Sequence, residues 1–157
     1  MDDIAAAAGI GRTTLFRYFS SKRELLWDEQ DEFRSGFADA LRSTDPSEHP
    51  IDAVFAAYRT VLVTDPDRVA LIKARMAIVA TAPANSTQIW ERFDLWATLI
   101  AQFVSERGGY GSQDLRALVK ARAIWGAIFS AVMAWSLSDE PGPERMIERA
   151  RKLLHDL

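Results

Sequence analysis

Apolar residues recur along this chain mostly at intervals of three and four, which is the spacing of one face of an α-helix rather than the alternation of a strand. Glycines, prolines and short polar stretches cut the pattern into separate pieces. No stretch has the features of a convincing strand, so the sequence predicts an all-α fold. The predicted helices run from Asp2 or Asp3 to Gly9, and over 12–19, 21–41, 51–63, 65–80, 87–107, 113–137 and 144–154.

Two of these helix ends carry specific signals. Gly9 follows an alanine-rich segment, where glycine is the usual residue just past a helix C-terminus. Ser21 followed by Glu24 is the spacing of a capping box, in which each side chain bonds the backbone near the other residue. These signals predict a short first helix and a third helix that begins at Ser21.

Composition places the chain among ordinary soluble proteins. Its 157 residues are 48% hydrophobic and 26% charged, which suits one domain or a small module fused to a larger one. The absence of cysteine excludes disulfides and thiolate metal sites, and agrees with a reducing cytoplasm. The net charge of −3 argues against non-specific binding of polyanions by the whole surface, but leaves room for a local basic patch.

Membrane and secretion signals are not expected. The longest uncharged run, 123–138, has 16 residues, and a membrane span needs about 20 consecutive apolar ones. We therefore expect a buried helix there. The chain opens with Met1, Asp2 and Asp3 rather than with a basic and then an apolar region, so no secretory signal is expected.

The segment Gly9-Ile10-Gly11 joins two short predicted helices and suggests a helix-turn-helix. At about 100° per residue, Arg12, Thr13, Phe16 and Arg17 share one sector of the second helix. Leu15 and Phe19 share another, which can pack on the first helix through Ile4, Ala5, Ala8 and Ile10. A recognition helix needs this division between an anchored side and a side that offers donors to DNA.

Two interpretations of that second helix stay open on these residues. Arg12 and Arg17 can each chelate a guanine edge, worth about 1–3 kcal/mol of discrimination, while Thr14, Tyr18 and Lys22 are placed for phosphate contacts. However, any amphipathic surface helix carries arginines, so a plain surface helix explains the pattern equally well.

The stretch "DIAAAAGIGRTTLFRYFSSKRELL" (3–26) resembles the DNA-binding signature of TetR-family transcriptional regulators. The family pattern has Asp-Ile-Ala, Ala-Gly-Val-Ser, Thr-Leu-Tyr, Tyr-Phe and Lys in this order and spacing. The Phe-Arg-Tyr-Phe variant resembles a subgroup that includes regulators of mycofactocin-type and acyl-CoA-linked genes. Residue by residue, the resemblance implies base contacts by Arg12, Thr13 and Arg17, and phosphate contacts by Thr14, Tyr18 and Lys22.

The sequence departs from the family pattern at three points. Gly11 stands where a serine usually caps the recognition helix, and Phe16 stands where a tyrosine usually contacts the DNA backbone. Family members also carry a helix before this motif, which the printed sequence lacks. A shortened chain, an omitted segment or a start codon assigned too late would each account for this. Without that helix, Ile4, Leu15 and Phe19 are expected to be partly bare, and the chain as written is expected to bind operator DNA weakly or not at all.

Beyond about Ser43 the sequence has no catalytic constellation, so we expect neither an enzyme nor a bound cofactor or metal. His49 and His155 lack the spacing of paired metal ligands and are expected to be solvated. The segment "GGYG" (108–111) lacks the strand-turn-helix context of a phosphate loop and is interpreted as a connection between helices.

Aromatic residues are abundant in this second region. Most of them are expected to pack a core, but the helices over 51–80, 87–107 and 113–137 can also enclose an apolar ligand cavity. The predicted lining residues are Met76, Trp96, Trp125 and Phe129. Arg75 or Arg122 can meet an anionic head group, and a surface or dimer-interface ion pair is the plainer interpretation of either arginine.

The last two long helices resemble the dimer bundle of the same family. The helix over 113–137 is apolar on more than one face, as contact with both its own core and a partner requires. Gly126, Ala127 and Ala131 permit close helix approach across a two-fold axis, and Ile147, Leu153 and Leu154 are predicted to extend the surface. An obligate interface of roughly 2,000 Å² is expected.

Together these observations predict a DNA-binding region with its connecting helix over 1–42, and a ligand-binding and dimerisation domain over 43–157. The leading hypothesis is a homodimeric repressor of the bacterial cytoplasm, released from the major groove of operator DNA by a small apolar or amphipathic effector. The subgroup resemblance implies an acyl-CoA-like effector. The alternative is a helical ligand-binding or dimerisation module, with a vestigial helix-turn-helix, that does not bind DNA. A small all-α enzyme ranks third.

Overall fold

The fold is taken from a computed structural model. It describes residues 1–27, 30–63, 65–81, 86–111 and 113–157. Within these ranges it contains nine helices and no strand, which confirms the predicted all-α class. The helices are α1 (Asp2–Ala7), α2 (Arg12–Tyr18), α3 (Lys22–Leu26), α4 (Gln30–Arg42), α5 (Pro50–Leu62), α6 (Pro66–Thr81), α7 (Ser86–Gly108), α8 (Leu115–Ser136) and α9 (Glu144–His155).

The two predicted helix-end signals are confirmed. Gly9 has a φ of 66° directly after the C-cap Ala8, a left-handed conformation that glycine adopts without a steric cost. The backbone N–H of Glu24 donates to Ser21 Oγ at 3.1 Å, and the Glu24 carboxylate accepts from the backbone N–H of Ser20 at 2.5 Å. The pKa of Glu24 is lowered mainly by its hydrogen bonds with Ser20.

The prediction of one continuous helix over 21–41 is wrong. Helix α3 ends at Leu26, Trp27 lies in a turn, and α4 begins at Gln30, with positions 28 and 29 outside the described residues. The backbone N–H of Trp27 bonds the carbonyl of Glu24, three residues back, at 3.1 Å. This tighter bond ends the α-helical turn, and the Trp27 side chain is buried.

The chain forms two compact units, Met1–Phe33 and Arg34–Leu157, so the division falls inside α4. The sequence had predicted a boundary between residues 42 and 43, at the end of this helix. The difference arises because Phe37 and Leu41, in the second half of α4, are buried. The Phe37 ring contacts Tyr58 and Trp96, which both belong to the second unit.

Helix α8 is central to the second unit, since it packs against α6, α7 and α9, while α5 contacts α7, α8 and α9. By length and composition alone, α8 could cross a membrane. Its buried residues, which include Ile124, Ile128 and Trp135, make it the core helix of this helical unit, as expected for the uncharged run 123–138.

Candidate functional site

The first unit exposes every residue that was predicted to contact DNA. Five of these lie on α2 and the sixth begins α3. All six side chains are exposed, as is Phe16, which is 40% exposed. The six are Arg12, Thr13, Thr14, Arg17, Tyr18 and Lys22.

The opposite side of α2 is anchored on α1. The expectation that Leu15 is partly bare is wrong, because Leu15 of α2 and Ala5 of α1 are both 3% exposed and the two helices pack against each other. Phe19 and Ile4 are half-buried, whereas Ala8 and Ile10, also predicted to pack here, are exposed. Within the described residues α2 thus has one held side and one side that is free to meet a ligand.

Weak surface contacts hold the two guanidinium groups in place. Arg12 Nε lies 3.2 Å from Asp2 Oδ1, and the Arg12 guanidinium lies 5.4 Å from the centre of the Phe16 ring. Arg17 Nη2 donates to the hydroxyl of Tyr18 at 3.2 Å. Exposed pairs of this kind contribute about 0–1 kcal/mol, so both arginines can exchange these contacts for DNA at little cost.

The second unit contains a cluster of seven aromatic rings at consecutive centroid distances of 4.8 to 6.4 Å. We call it the aromatic cluster. Trp96 and Trp125 form its centre, stacked at 4.8 Å with their planes 9° apart. The members are Phe37, Tyr58, Trp90, Phe93, Trp96, Trp125 and Phe129.

Trp125 carries a buried donor that has no partner among the described residues. Its side chain is only 5% exposed, and its Nε1 makes no hydrogen bond to any of them. A buried polar group without a partner costs about 1–3 kcal/mol, so such a group commonly marks a functional position. The neighbouring Tyr58 has its pKa raised by burial, which keeps its hydroxyl protonated.

The predicted lining residues are only partly brought together. Trp96, Trp125 and Phe129 lie in the aromatic cluster, while Met76 is buried on α6 and the adjacent Arg75 is half-buried. Arg122 forms a surface ion pair with Asp94 at 3.2 Å, which agrees with the plainer of its two interpretations. These predicted residues do not line either of the two cavities described next.

An apolar groove of about 510 Å³ runs between α8 and α9. We call it the α8–α9 groove. Leu115 and Val119 continue the exposed apolar surface of α8 on its N-terminal side. Six residues were predicted for a dimer surface, and five of them line the groove. These are Gly126, Ala127, Ala131, Leu153 and Leu154, whereas Ile147 does not line it. The groove is lined by Ala123, Gly126, Ala127, Ser130, Ala131, Ala134, Met146, Arg149, Ala150, Leu153, Leu154 and Leu157.

The prediction that Ile147 extends this surface is wrong. Ile147 is 2% exposed and lines a different cleft, of about 260 Å³, together with Phe55 and Ala56 of α5. The reason is that α9 packs against α5 as well as α8. One apolar stripe of α9 is therefore used in the core, and the other is left on the surface.

One further constellation was missed in the sequence. His49 and His155 were expected to be solvated, and both are exposed, but the sequence did not predict that their ring centroids lie 5.3 Å apart. His155 Nε2 is 2.9 Å from Asp52 Oδ1, and Arg151 Nη1 donates to the same oxygen at 2.5 Å. The only local signal was the spacing of His49 and Asp52, three apart at the start of α5, because His155 is 103 positions from Asp52.

A helix-turn-helix that is anchored on one side and presents arginines on the other, followed by a separate helical unit, defines a DNA-binding transcriptional regulator. Comparison with known families agrees with this class. Residues 1–27 match the family of bacterial regulatory proteins, tetR family, and residues 48–156 match the MftR C-terminal domain. The chain belongs to the TetR family of transcriptional regulators.

Two relatives are also transcriptional regulators by name. The chain is 31% identical to a Mycobacterium tuberculosis (strain H37Rv) protein named as mycofactocin biosynthesis transcriptional regulator MftR, over 89% of this chain and 70% of that protein. It is 27% identical to the HTH-type transcriptional repressor LfrR of Mycolicibacterium smegmatis, over 69% of this chain and 70% of the relative. These matches confirm the predicted resemblance to the mycofactocin subgroup.

Proposed function

We propose that this protein is an effector-responsive repressor that binds operator DNA as a homodimer in the bacterial cytoplasm. The observation that carries the proposal is α2, which Leu15 anchors while its opposite side stays exposed. The name of the relative LfrR, a transcriptional repressor, supports repression rather than activation.

In this proposal α2 enters the major groove. Arg12 and Arg17 bond guanine edges and Thr13 completes the base contacts. Each bidentate arginine contributes about 1–3 kcal/mol of discrimination. Thr14, Tyr18 and Lys22 bond phosphates, which fixes the register of the helix without reading sequence.

The surface that contains the α8–α9 groove is proposed to pack against the same surface of a second copy. Gly126, Ala127 and Ala131 keep the surface of α8 low there, so that two helices can approach closely. Exposed Leu115 and Val119 extend the apolar area of α8 beyond the groove. Two copies related by a two-fold axis then present two recognition helices to half-sites about 34 Å apart, or a multiple of that distance.

The effector is proposed to bind at the aromatic cluster. Met76 and Arg75 belong to α6, which packs against α8, and they stay predicted contacts of the effector. The unpartnered Nε1 of Trp125 offers one hydrogen bond to an acceptor atom in an otherwise apolar environment. Such a site suits an apolar or amphipathic molecule that carries a carbonyl oxygen, such as an acyl-CoA. Because Trp96 and Trp125 are stacked, the effector would separate or displace these rings.

The aromatic cluster extends to α4, the helix within which the chain passes from the first unit to the second. Phe37 of α4 lies 5.3 Å from Trp96, ring centre to ring centre, and Trp96 stacks on Trp125. A displacement of these rings would move the end of α4 that they hold. The proposal is that this motion changes the spacing of the two recognition helices and lowers the affinity for operator DNA.

The DNA half of the proposal is tested by fluorescence anisotropy with labelled DNA from upstream of the protein's own gene. Arg17→Ala, made in a full-length form that carries the helix that family members have before this motif, is expected to weaken binding about tenfold and to relax base preference at one operator position. Arg145→Ala removes an exposed arginine of α9 and is the matched control. Equal effects of the two variants, or an unchanged base preference in Arg17→Ala, would exclude α2 as the reading helix.

The effector half is tested by adding oleoyl-CoA, or free oleate as the comparison, to the protein–DNA complex. Release of DNA by the thioester, at concentrations where Trp125→Phe no longer responds, is the expected result. Phe37→Leu, at the α4 edge of the cluster, is expected to release less DNA than the wild type at ligand concentrations that calorimetry shows to be saturating for each protein. If both variants respond like the wild type, the effector site lies elsewhere.

A further inference from the structure

We propose that His49, Asp52 and His155 form a binding site for a divalent transition-metal ion such as Zn²⁺. The potential ligand atoms of the three side chains all lie within 4.8 Å of one another. They come from two elements that pack together, the start of α5 and the last turn of α9. The site is separate from both the aromatic cluster and the DNA-reading helix, so the inference does not depend on the proposed function.

The donor set fits such an ion. Two imidazoles and one carboxylate are ligands that zinc accepts, leaving a fourth position for water. Tetrahedral coordination at about 2.0–2.2 Å places ligand atoms ~3.4 Å apart. His155 Nε2 already lies 2.9 Å from Asp52 Oδ1, so these two side chains are adjacent, and coordination through Nε2 replaces the hydrogen bond between them.

Few existing contacts have to be given up. The backbone N–H of Ile51 donates to His49 Nδ1 at 3.4 Å, which is a long and weak cap. Coordination by either ring nitrogen of His49 ends this contact. If Nδ1 binds the metal, its lone pair is used, and if Nε2 binds the metal, the ring proton lies on Nδ1, which can then no longer accept. His49 and His155 are exposed and Asp52 is half-buried, so an ion can reach all three from solvent.

Arg151 is the main group that competes with the metal ion for the carboxylate of Asp52. Its Nη1 donates to Asp52 Oδ1, but its charge is shared with Glu148, to which it donates two further bonds of 3.0 and 2.8 Å. The adjoining cleft is lined by four carboxylates and two guanidinium groups, so the surroundings are acidic as a whole. Asp52 Oδ2 is available to the ion while Oδ1 stays bonded to Arg151.

The chain is unusually well suited to a test, because it contains only two histidines and no cysteine. Both imidazoles belong to the proposed site. The untagged full-length protein, treated with a chelator and then dialysed, would be titrated with ZnCl₂ by isothermal calorimetry at pH 7.5. We expect saturation at one ion per chain.

Matched variants assign the ligands. His49→Ser keeps a good helix cap while removing a ligand, and His155→Gln keeps a polar side chain on α9. Each is expected to weaken zinc binding at least about tenfold, since loss of a ligand costs no less than loss of a supporting residue. Asp94→Asn, a change at an exposed carboxylate of α7, is expected to leave the isotherm unchanged.

A second readout does not rely on any variant being folded. The ring protons of the two histidines are expected to shift together in NMR spectra of the wild type, reaching completion at one equivalent of Zn²⁺. Absence of saturable binding, or binding that leaves the histidine resonances and both histidine variants unaffected, would overturn the site.

Discussion

Trp96 and Trp125 stack with their ring centres 4.8 Å apart, and yet the buried indole N–H of Trp125 finds no hydrogen-bond partner in the part of the chain that the structure describes. The stack thus combines a large apolar contact with a polar penalty. A phenylalanine at position 125 would lose some contact area but also remove the penalty of about 1–3 kcal/mol.

We therefore expect Trp125→Phe to change the free energy of unfolding by no more than about 1 kcal/mol, whereas Trp125→Ala should cost about 3–5 kcal/mol through the cavity it leaves. Urea denaturation followed by circular dichroism measures both. A phenylalanine variant as unstable as the alanine variant would show that the indole nitrogen carries no penalty.

Gly126 offers a direct test of the homodimer. A Cβ atom added there meets no atom within 4 Å in a single chain, so the start of a larger side chain is accommodated within one subunit. In the dimer proposed above, Gly126→Trp would fill the α8–α9 groove and separate the two subunits.

Light scattering after size exclusion should then give a dimer for the wild type and a monomer for Gly126→Trp, with helix content retained. Gly111 has equally open surroundings but does not line the groove, and Gly111→Trp serves as the control. Dimers in all three proteins would place the interface elsewhere.

Stability should depend on pH through Asp52. Burial raises the pKa of this carboxyl, but hydrogen bonds from His155 and Arg151 more than offset that, so the pKa lies below its usual value. A depressed pKa means that the folded chain favours the ionised form. The stabilisation is therefore present above the unfolded-state pKa of about 4 and is lost as pH falls through the lower folded-state value.

Thermal unfolding between pH 6 and pH 2.5 checks this dependence. The melting temperature of the wild type should exceed that of Asp52→Asn at pH 6, and the difference should shrink towards the acid end. A difference that stays constant over this range would mean that Asp52 acts through packing rather than charge.

The ion pair between Asp2 and Arg12 makes a further prediction for DNA binding. Asp2→Asn removes a negative charge beside the reading face and releases Arg12. Since an exposed pair contributes about 0–1 kcal/mol, we expect DNA affinity to rise by up to about fivefold. Anisotropy with promoter DNA measures it, and Asp156→Asn, the same change on the second unit, should have no effect. A fall in affinity would mean that Asp2 holds Arg12 in the binding orientation.

Much of the fold follows from the sequence because the helix ends are chemically explicit. Pro50 and Pro66 begin α5 and α6, and Asp114 caps α8 by accepting from the backbone N–H of Arg116 at 2.8 Å. The break at Trp27 could not be predicted in the same way. Neither glycine nor proline marks it, and the helical spacing of apolar residues continues through it.

The functional sites likewise differ in how far the sequence predicts them. The exposed face of α2 was predictable, since it depends on local periodicity and on Leu15 as the anchor. The pairing of His49 with His155 depends on a tertiary contact between α5 and α9, which periodicity does not encode. The same contact explains why Ile147 faces the core, because an apolar stripe does not specify which neighbour it meets.

The division of the chain inside α4 has a practical consequence for exchanging parts between related regulators. A hybrid joined after Arg42, where the helix ends, would supply Phe37 and Leu41 from a foreign protein and leave the recipient's aromatic cluster without its own ring. A hybrid joined between Phe33 and Arg34 keeps that ring with the partners it contacts. The useful crossover point for new regulators therefore lies in the middle of a helix rather than in a loop.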